Sequence, residues 1–188
     1  VKVLASGLEP GVHSLQVMKE TWRANKAYFH GLEVTGAGLV APPARPGLRI
    51  EYFGDSNMDG SSNYSEKNSG GMGTYYAFPA MVTRMLGAEM NVEAISGAKL
   101  TDVRSYIYSE DRRTPRADYR SGFDPHIIVV NAGANDVGAP KNSIKDRYKL
   151  VISNLRTVYG DDPHIVLFNA YGWDVNEPAE YIQEVVDE

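Results

Sequence analysis

The chain of 188 residues is long enough for one good-sized domain, or for one domain and part of another. Its 43% hydrophobic and 23% charged residues are ordinary for a globular protein, and a formal net charge of -5 argues against a nucleic-acid partner, which needs clustered Lys and Arg. Cysteine is absent, which excludes a disulfide framework and a thiolate metal site, and no apolar run approaches the ~20 residues that span a bilayer.

Val1–Leu4 and Val12–Val17 alternate apolar and polar residues around the turn-rich Gly7-Leu8-Glu9-Pro10-Gly11, which predicts an antiparallel hairpin. A third strand is expected over Tyr28–Val34. Three strands are too few to close a sandwich, so either further strands complete them or they pack on the next domain. Ala41-Pro42-Pro43-Ala44-Arg45-Pro46-Gly47 suits neither ladder nor helix, and marks 41–47 as an extended linker between two domains. Residue 1 is Val, and Pro178–Glu188 has helical spacing with no capping glycine behind it. The chain reads as the middle of something longer.

Beyond the linker the period changes. Arg49–Phe53 is a strand that runs into Gly54-Asp55-Ser56-Asn57, and Gly60–Gly73 is a polar loop rich in Gly, Ser and Asn. Tyr75–Leu86 is a predicted helix with Phe78, Met81, Val82 and Met85 on one face, stopped by Gly87. Ala88–Ile95 is a second strand ending in Ser96-Gly97-Ala98, Leu100–Tyr108 a helix, and Asp111–Gly122 a charged loop. His126–Asn131 is the most apolar strand, expected to be covered on both faces. Lys141–Tyr159 has helical spacing through Ile144, Tyr148, Val151, Ile152 and Leu155, and His164–Asn169 is another buried strand. Such alternation of β and α predicts a three-layer α/β fold with a parallel sheet over residues 48–188.

Ligands of such sheets bind beyond the carboxyl ends of the strands. The four strands deliver Gly54-Asp55-Ser56, then Ser96-Gly97, then Gly133-Ala134-Asn135-Asp136, and finally Asn169 with Trp173 close by. A serine, a glycine amide and an asparagine amide at one point are the parts of an acyl-transfer site. Ser56 is the candidate nucleophile; its own N–H, the N–H of Gly97 and the side-chain amide of Asn135 are candidate oxyanion donors. Singly, each has a blander reading as a turn residue or helix cap, and it is the coincidence at three strand ends that carries weight. There is no G-x-S-x-G elbow.

In these three blocks the sequence resembles the SGNH (GDSL-type) hydrolases: Gly54-Asp55-Ser56, Gly97 and Gly133-Ala134-Asn135-Asp136. Tyr28–Val34, the Pro-rich linker and Arg49–Ser56 together are similar to carbohydrate esterase family 2. That resemblance implies a flavodoxin-like SGNH domain over 48–188, preceded by part of a β-sandwich (jelly-roll) domain at 1–40. It implies a secreted serine esterase that removes O-acetyl groups from plant polysaccharide through an acyl-enzyme, with no metal and no organic cofactor. The alternatives are a lipase, thioesterase or arylesterase of the same superfamily, and a non-catalytic carbohydrate-binding module. In the last, Trp173, Tyr64, Tyr75 and Tyr76 stack on sugar rings.

The same resemblance implies a general base in a D-x-x-H block near the domain's C-terminus. Asp161-Asp162-Pro163-His164 spells that pattern but sits at the amino end of its strand, roughly 17–20 Å from the opposite edge. His126 also begins a strand, and His13 and His30 fall in the N-terminal region as structural residues. The catalytic histidine is therefore expected beyond Glu188, and a chain without it is expected to be nearly inactive on acetyl esters.

Overall fold

The computed structural model describes residues 3–17, 28–61, 73–107, 122–168 and 178–188. Four parallel strands, β1 (Arg49–Gly54), β2 (Glu89–Ala94), β3 (Ile127–Asn131) and β4 (His164–Leu167), form one sheet in the order β2-β1-β3-β4. Among the described residues five α-helices connect and cover them: α1 (Ser56–Asp59), α2 (Phe78–Leu86), α3 (Leu100–Ile107), α4 (Lys141–Tyr159) and α5 (Pro178–Asp187). The three-layer parallel fold expected from the alternation is what forms.

The period-two geometry of β1 sends its side chains into two cores. Phe53 joins Ile128 and Val130 of β3 under α3, α4 and α5, with Val103, Tyr148, Leu155 and Ile182 buried there. Ile50 and Tyr52 point the other way and pack with Met58 of α1, Ala94 of β2 and Phe78 of α2. On α4 the buried residues include Ile144, Tyr148, Val151 and Leu155, as its spacing predicts. Three lysines of that helix, Lys141, Lys145 and Lys149, pair with Glu184 and Glu188, fastening α5 alongside it.

Three expectations change. The strands over Val12–Val17 and Tyr28–Val34 do not form: among residues 3–17 and 28–47 there is no strand, and Val12, Val17 and Phe29 are exposed. Alternation alone gives such a segment no edge to pair with and no face to bury. The second change is in α2, which buries Pro79, Ala80 and Thr83 rather than its large residues. Met81, Val82 and Met85 face outward, and Phe78 is half-buried. The small face lets the helix approach β1, where the Tyr52 hydroxyl lies 3.2 Å from Thr83 Oγ1. Finally, β4 stands at the edge of the sheet among the described residues, with His164 and Val166 exposed, whereas its short apolar run suggests full burial. The linker is pinned at its end, where the Arg45 guanidinium donates twice to Glu89, at 2.7 and 2.9 Å.

Candidate active site

The neighbours of β1 fix the place of the site. β1 lies between β2 and β3, so the connections leaving its carboxyl end and that of β3 depart in opposite directions and leave a crevice there. The chain turns sharply at Gly54. A Cβ on that residue would lie 2.6 Å from the Asn131 carbonyl oxygen and 2.6 Å from Met58 Sδ, so only glycine lets the turn close against β3. Asp55 then caps α1, its Oδ1 accepting the Asn57 N–H at 3.0 Å, and Ser56 is the first helical residue, half-buried.

The other two blocks meet this one through Asn135. Its side chain rises from a 3₁₀ turn, Ala134–Asp136, entered through Gly133 at φ 119. Asn135 Nδ2 donates to the Ala98 carbonyl at 2.8 Å and to Asp55 Oδ2 at 3.3 Å. One amide thus links the residue before Ser56 to the residue after Gly97. Gly97 is exposed at φ 84 in the turn closed by the Ala98 N–H on the Ile95 carbonyl, 3.0 Å.

Residues given no role from the sequence hold this arrangement. Asp55 is fully buried, and burial pushes its carboxyl up from the ordinary range, with the Asp59 and Asp136 charges adding to the shift and the Asn57 bonds opposing it. Asp136 is buried too; its Oδ2 accepts the Leu100 N–H at the start of α3 (2.9 Å) and its Oδ1 the Arg147 guanidinium of α4 (2.6 Å). Asp59 accepts from Ser96 and Ser61. An acid three residues after a serine looks like helix chemistry, and nothing local in the sequence points to a partner 37 positions away. The stretch after α1 leaves and returns at one point: the Gly73 N–H donates to the Gly60 carbonyl at 3.0 Å, and Thr74 Oγ1 donates to the Asp59 carbonyl at 3.2 Å.

Two strand-initiating histidines are far from this end. His126 Nδ1 accepts the Arg49 N–H at 3.1 Å, and the His164 N–H donates to the His126 carbonyl, so both sit at the amino edge of the sheet. From Ile127 to Asn131 the strand itself covers roughly 13 Å. His13 bonds within its own segment, to the Glu9 carbonyl, and His30 lies beside Tyr28. Trp173 and Tyr64 lie outside the described residues. Tyr75 stands edge-on to Tyr76, with the Arg84 guanidinium 3.8 Å from its ring centre, so that ring is engaged in packing.

A family model described as GDSL-like Lipase/Acylhydrolase family matches residues 52–188. The chain is 29% identical over 177 residues to cellulase/esterase CelE of Acetivibrio thermocellus, covering 84% of this chain and 22% of that protein. It is similar to the solved structure of a family two carbohydrate esterase from Clostridium thermocellum in complex with cellohexaose, at 26% identity and a TM-score of 0.64, covering 80% of this chain and 52% of the other. An acetyl xylan esterase, Est2A, from the rumen bacterium Butyrivibrio proteoclasticus shares the fold at 17% identity and a TM-score of 0.58, with 78% and 52% covered. The chain spans about half the length of those two structures and about a fifth of CelE.

Proposed function

Because the chain belongs to the GDSL-like Lipase/Acylhydrolase family, we propose that it is the nucleophile-bearing part of a serine esterase that removes O-acetyl groups from carbohydrate. The observation that carries the reading is the pair of hydrogen bonds that Asn135 Nδ2 donates to the Ala98 carbonyl and to Asp55, which draws the Ser56, Gly97 and Asn135 blocks to one point. Similarity to a carbohydrate esterase solved with cellohexaose supports a sugar-bearing substrate, and secretion of the whole protein goes with such a substrate.

In this mechanism Ser56 Oγ attacks the ester carbonyl carbon while its proton passes to a general base. The carbonyl π electrons move onto oxygen, and the oxyanion is met by the N–H of Ser56, the N–H of Gly97 and the Asn135 amide. Both Asn135 hydrogens are engaged in the resting site, and the 3.3 Å bond to Asp55 is the longer of the two. That is the one the amide trades for the oxyanion. Collapse expels the sugar oxygen, which takes the proton from the base, and water repeats the sequence on the acyl-enzyme to release acetate. His126 and His164, at the far edge of the sheet, are not the base; the reading assigns it to a D-x-x-H block beyond Glu188. It likewise keeps residues 1–40 as part of a β-sandwich domain completed elsewhere, and Trp173 as a sugar contact.

The test uses the full-length protein with acetylated xylo-oligosaccharide and with long-chain acyl esters. Acetate release that falls about 10⁴-fold or more in Ser56→Ala is expected. Undiminished turnover in that variant rules out Ser56 as the nucleophile, and a preference for long acyl chains moves the substrate from sugar acetate to lipid.

A further inference from the structure

Within the stretch from Gly54 to Gly60, Asp59 has no part in the acyl-transfer steps, yet its side chain makes the tightest contacts near the nucleophile. Oδ2 accepts the Ser96 N–H at 2.6 Å. Oδ1 accepts both the N–H and the hydroxyl of Ser61, at 2.7 and 2.5 Å. The carboxylate therefore joins the last residue of α1 to the turn between β2 and α3, and to the first residue past Gly60. Hydrogen bonds to an ionised acceptor are roughly twice as strong as neutral ones.

The turn it grips is the one that carries Gly97. Ile95 to Ala98 is closed by the Ala98 N–H on the Ile95 carbonyl, and Gly97 sits at φ 84, as in a type II turn with Ser96 at its second position. Its other ties to the site are the Asn135 bond to the Ala98 carbonyl, 2.8 Å, and the Ile95 N–H on the Gly54 carbonyl, 3.4 Å. Those two hold the exit and the entrance of the turn. Asp59 alone, among the hydrogen bonds described, holds its second residue, next to Gly97.

We propose that Asp59 is a positioning residue: its carboxylate, anchored on the same short helix as Ser56, sets where the Gly97 N–H stands relative to the nucleophile. The two backbone donors of the oxyanion hole are then in place before substrate arrives, referenced to one rigid piece. The proposal rests on the acyl-transfer reading. It explains why an acid, rather than a neutral residue, occupies this position: one side chain must accept three hydrogen bonds, and a carboxylate has acceptors to spare and no hydrogen of its own to place.

Two changes break the same bond from opposite sides in the full-length protein. Asp59→Asn replaces one acceptor oxygen by a donor. Ser96→Pro deletes the N–H while supplying the residue preferred at the second position of a type II turn, and is paired with Asp59→Ala so that the ring has room. Hydrolysis of p-nitrophenyl acetate is followed for kcat and KM separately, together with amide hydrogen exchange at Ala98, whose N–H closes the turn. Losing one oxyanion donor outright costs about 10²–10³ in turnover, so a displaced one is expected to cost about 10–100-fold. The expected result is that fall in kcat with KM within about twofold, and exchange at Ala98 about tenfold faster. Adding Ser96→Pro to Asp59→Ala should then cost nothing more. Glu89→Gln, at the opposite edge of the sheet, leaves both readouts unchanged.

Wild-type kcat in Asp59→Asn overturns the proposal. So does a loss carried by KM, or a further fall in kcat when Ser96→Pro is added to Asp59→Ala. Failure of the esterase reading looks different: hydrolysis is then absent, or independent of Ser56, in the wild type itself. Exchange at Ala98 still decides whether Asp59 holds the turn, and unchanged exchange in Asp59→Asn overturns it.

Discussion

Gly54→Ala is expected to destabilise the fold by about 3 kcal/mol or more, measured as a shift in denaturant midpoint, and to cost the surviving folded fraction most of its turnover. The added Cβ would sit 2.6 Å from the Asn131 carbonyl oxygen, which belongs to the neighbouring central strand and cannot move without breaking the β1–β3 ladder. Met58 Sδ, also at 2.6 Å, can swing aside, but only into the core formed with Ile50 and Tyr52. Relief must come from β1 backing away, and that carries Ser56 with it. Gly97→Ala makes the contrast: a Cβ there meets nothing within 4 Å, so the cost is the left-handed backbone alone, about 1 kcal/mol. Equal losses at the two glycines would show that the crowding at Gly54 is not what fixes the turn.

Glu51→Gln is expected to stabilise the protein at alkaline pH and not at acid pH. Glu51 lies in β1, fully buried, with Oε1 accepting from Asn91 Nδ2 at 2.7 Å. Burial pushes its carboxyl up from 4.5 to about 7, against the Asn91 bond, with the Glu93 charge adding to the rise and the Tyr159 hydroxyl opposing it. A carboxyl raised on folding holds its proton more tightly folded than unfolded. Its contribution is therefore most favourable below pH 4.5 and is lost as pH climbs through 7, a swing of about 3 kcal/mol for a shift of this size. Glutamine keeps an acceptor for Asn91 and carries no charge to desolvate. Denaturation midpoints measured from pH 4 to pH 9 should fall across the range for the wild type and stay flatter for Glu51→Gln. Parallel profiles would mean that the carboxylate is solvated in the folded state.

Glu51 also shows where the sequence stops being readable. Arg49-Ile50-Glu51-Tyr52-Phe53 looks like an alternating strand with Glu51 on a wet face. A strand in the middle of a parallel sheet has no wet face, and its neighbours in the sheet are not visible from its own residues. The same limit explains α2. Phe78, Met81, Val82 and Met85 make the obvious apolar stripe, but close approach to β1 favours Pro79, Ala80 and Thr83. The blocks around Ser56, Gly97 and Asn135 were legible for the opposite reason. Alternating β and α already places their strand ends on one edge, and glycines at φ 84 and φ 119 mark two of the turns. What holds those blocks to one another, through Asp55, Asp59, Asp136 and Arg147, is long-range hydrogen bonding, and composition carries no trace of it.

The neck between Gly60 and Gly73 bears on how this chain tolerates change in length. The hydrogen bond between those two residues, with Thr74 on the Asp59 carbonyl, ties the ends of the intervening stretch beside Ser56. A Cβ on Gly60 would fall within 3 Å of Gly73, so the closure depends on a residue with no side chain. Closing a stretch of chain twice as long costs only about 0.6 kcal/mol more. Foreign peptide spliced between these glycines should leave folding and Ser56 reactivity intact, as thermal midpoint and ester turnover would report. A segment grafted there would start and end beside Ser56, with β1 and α1 left where they are.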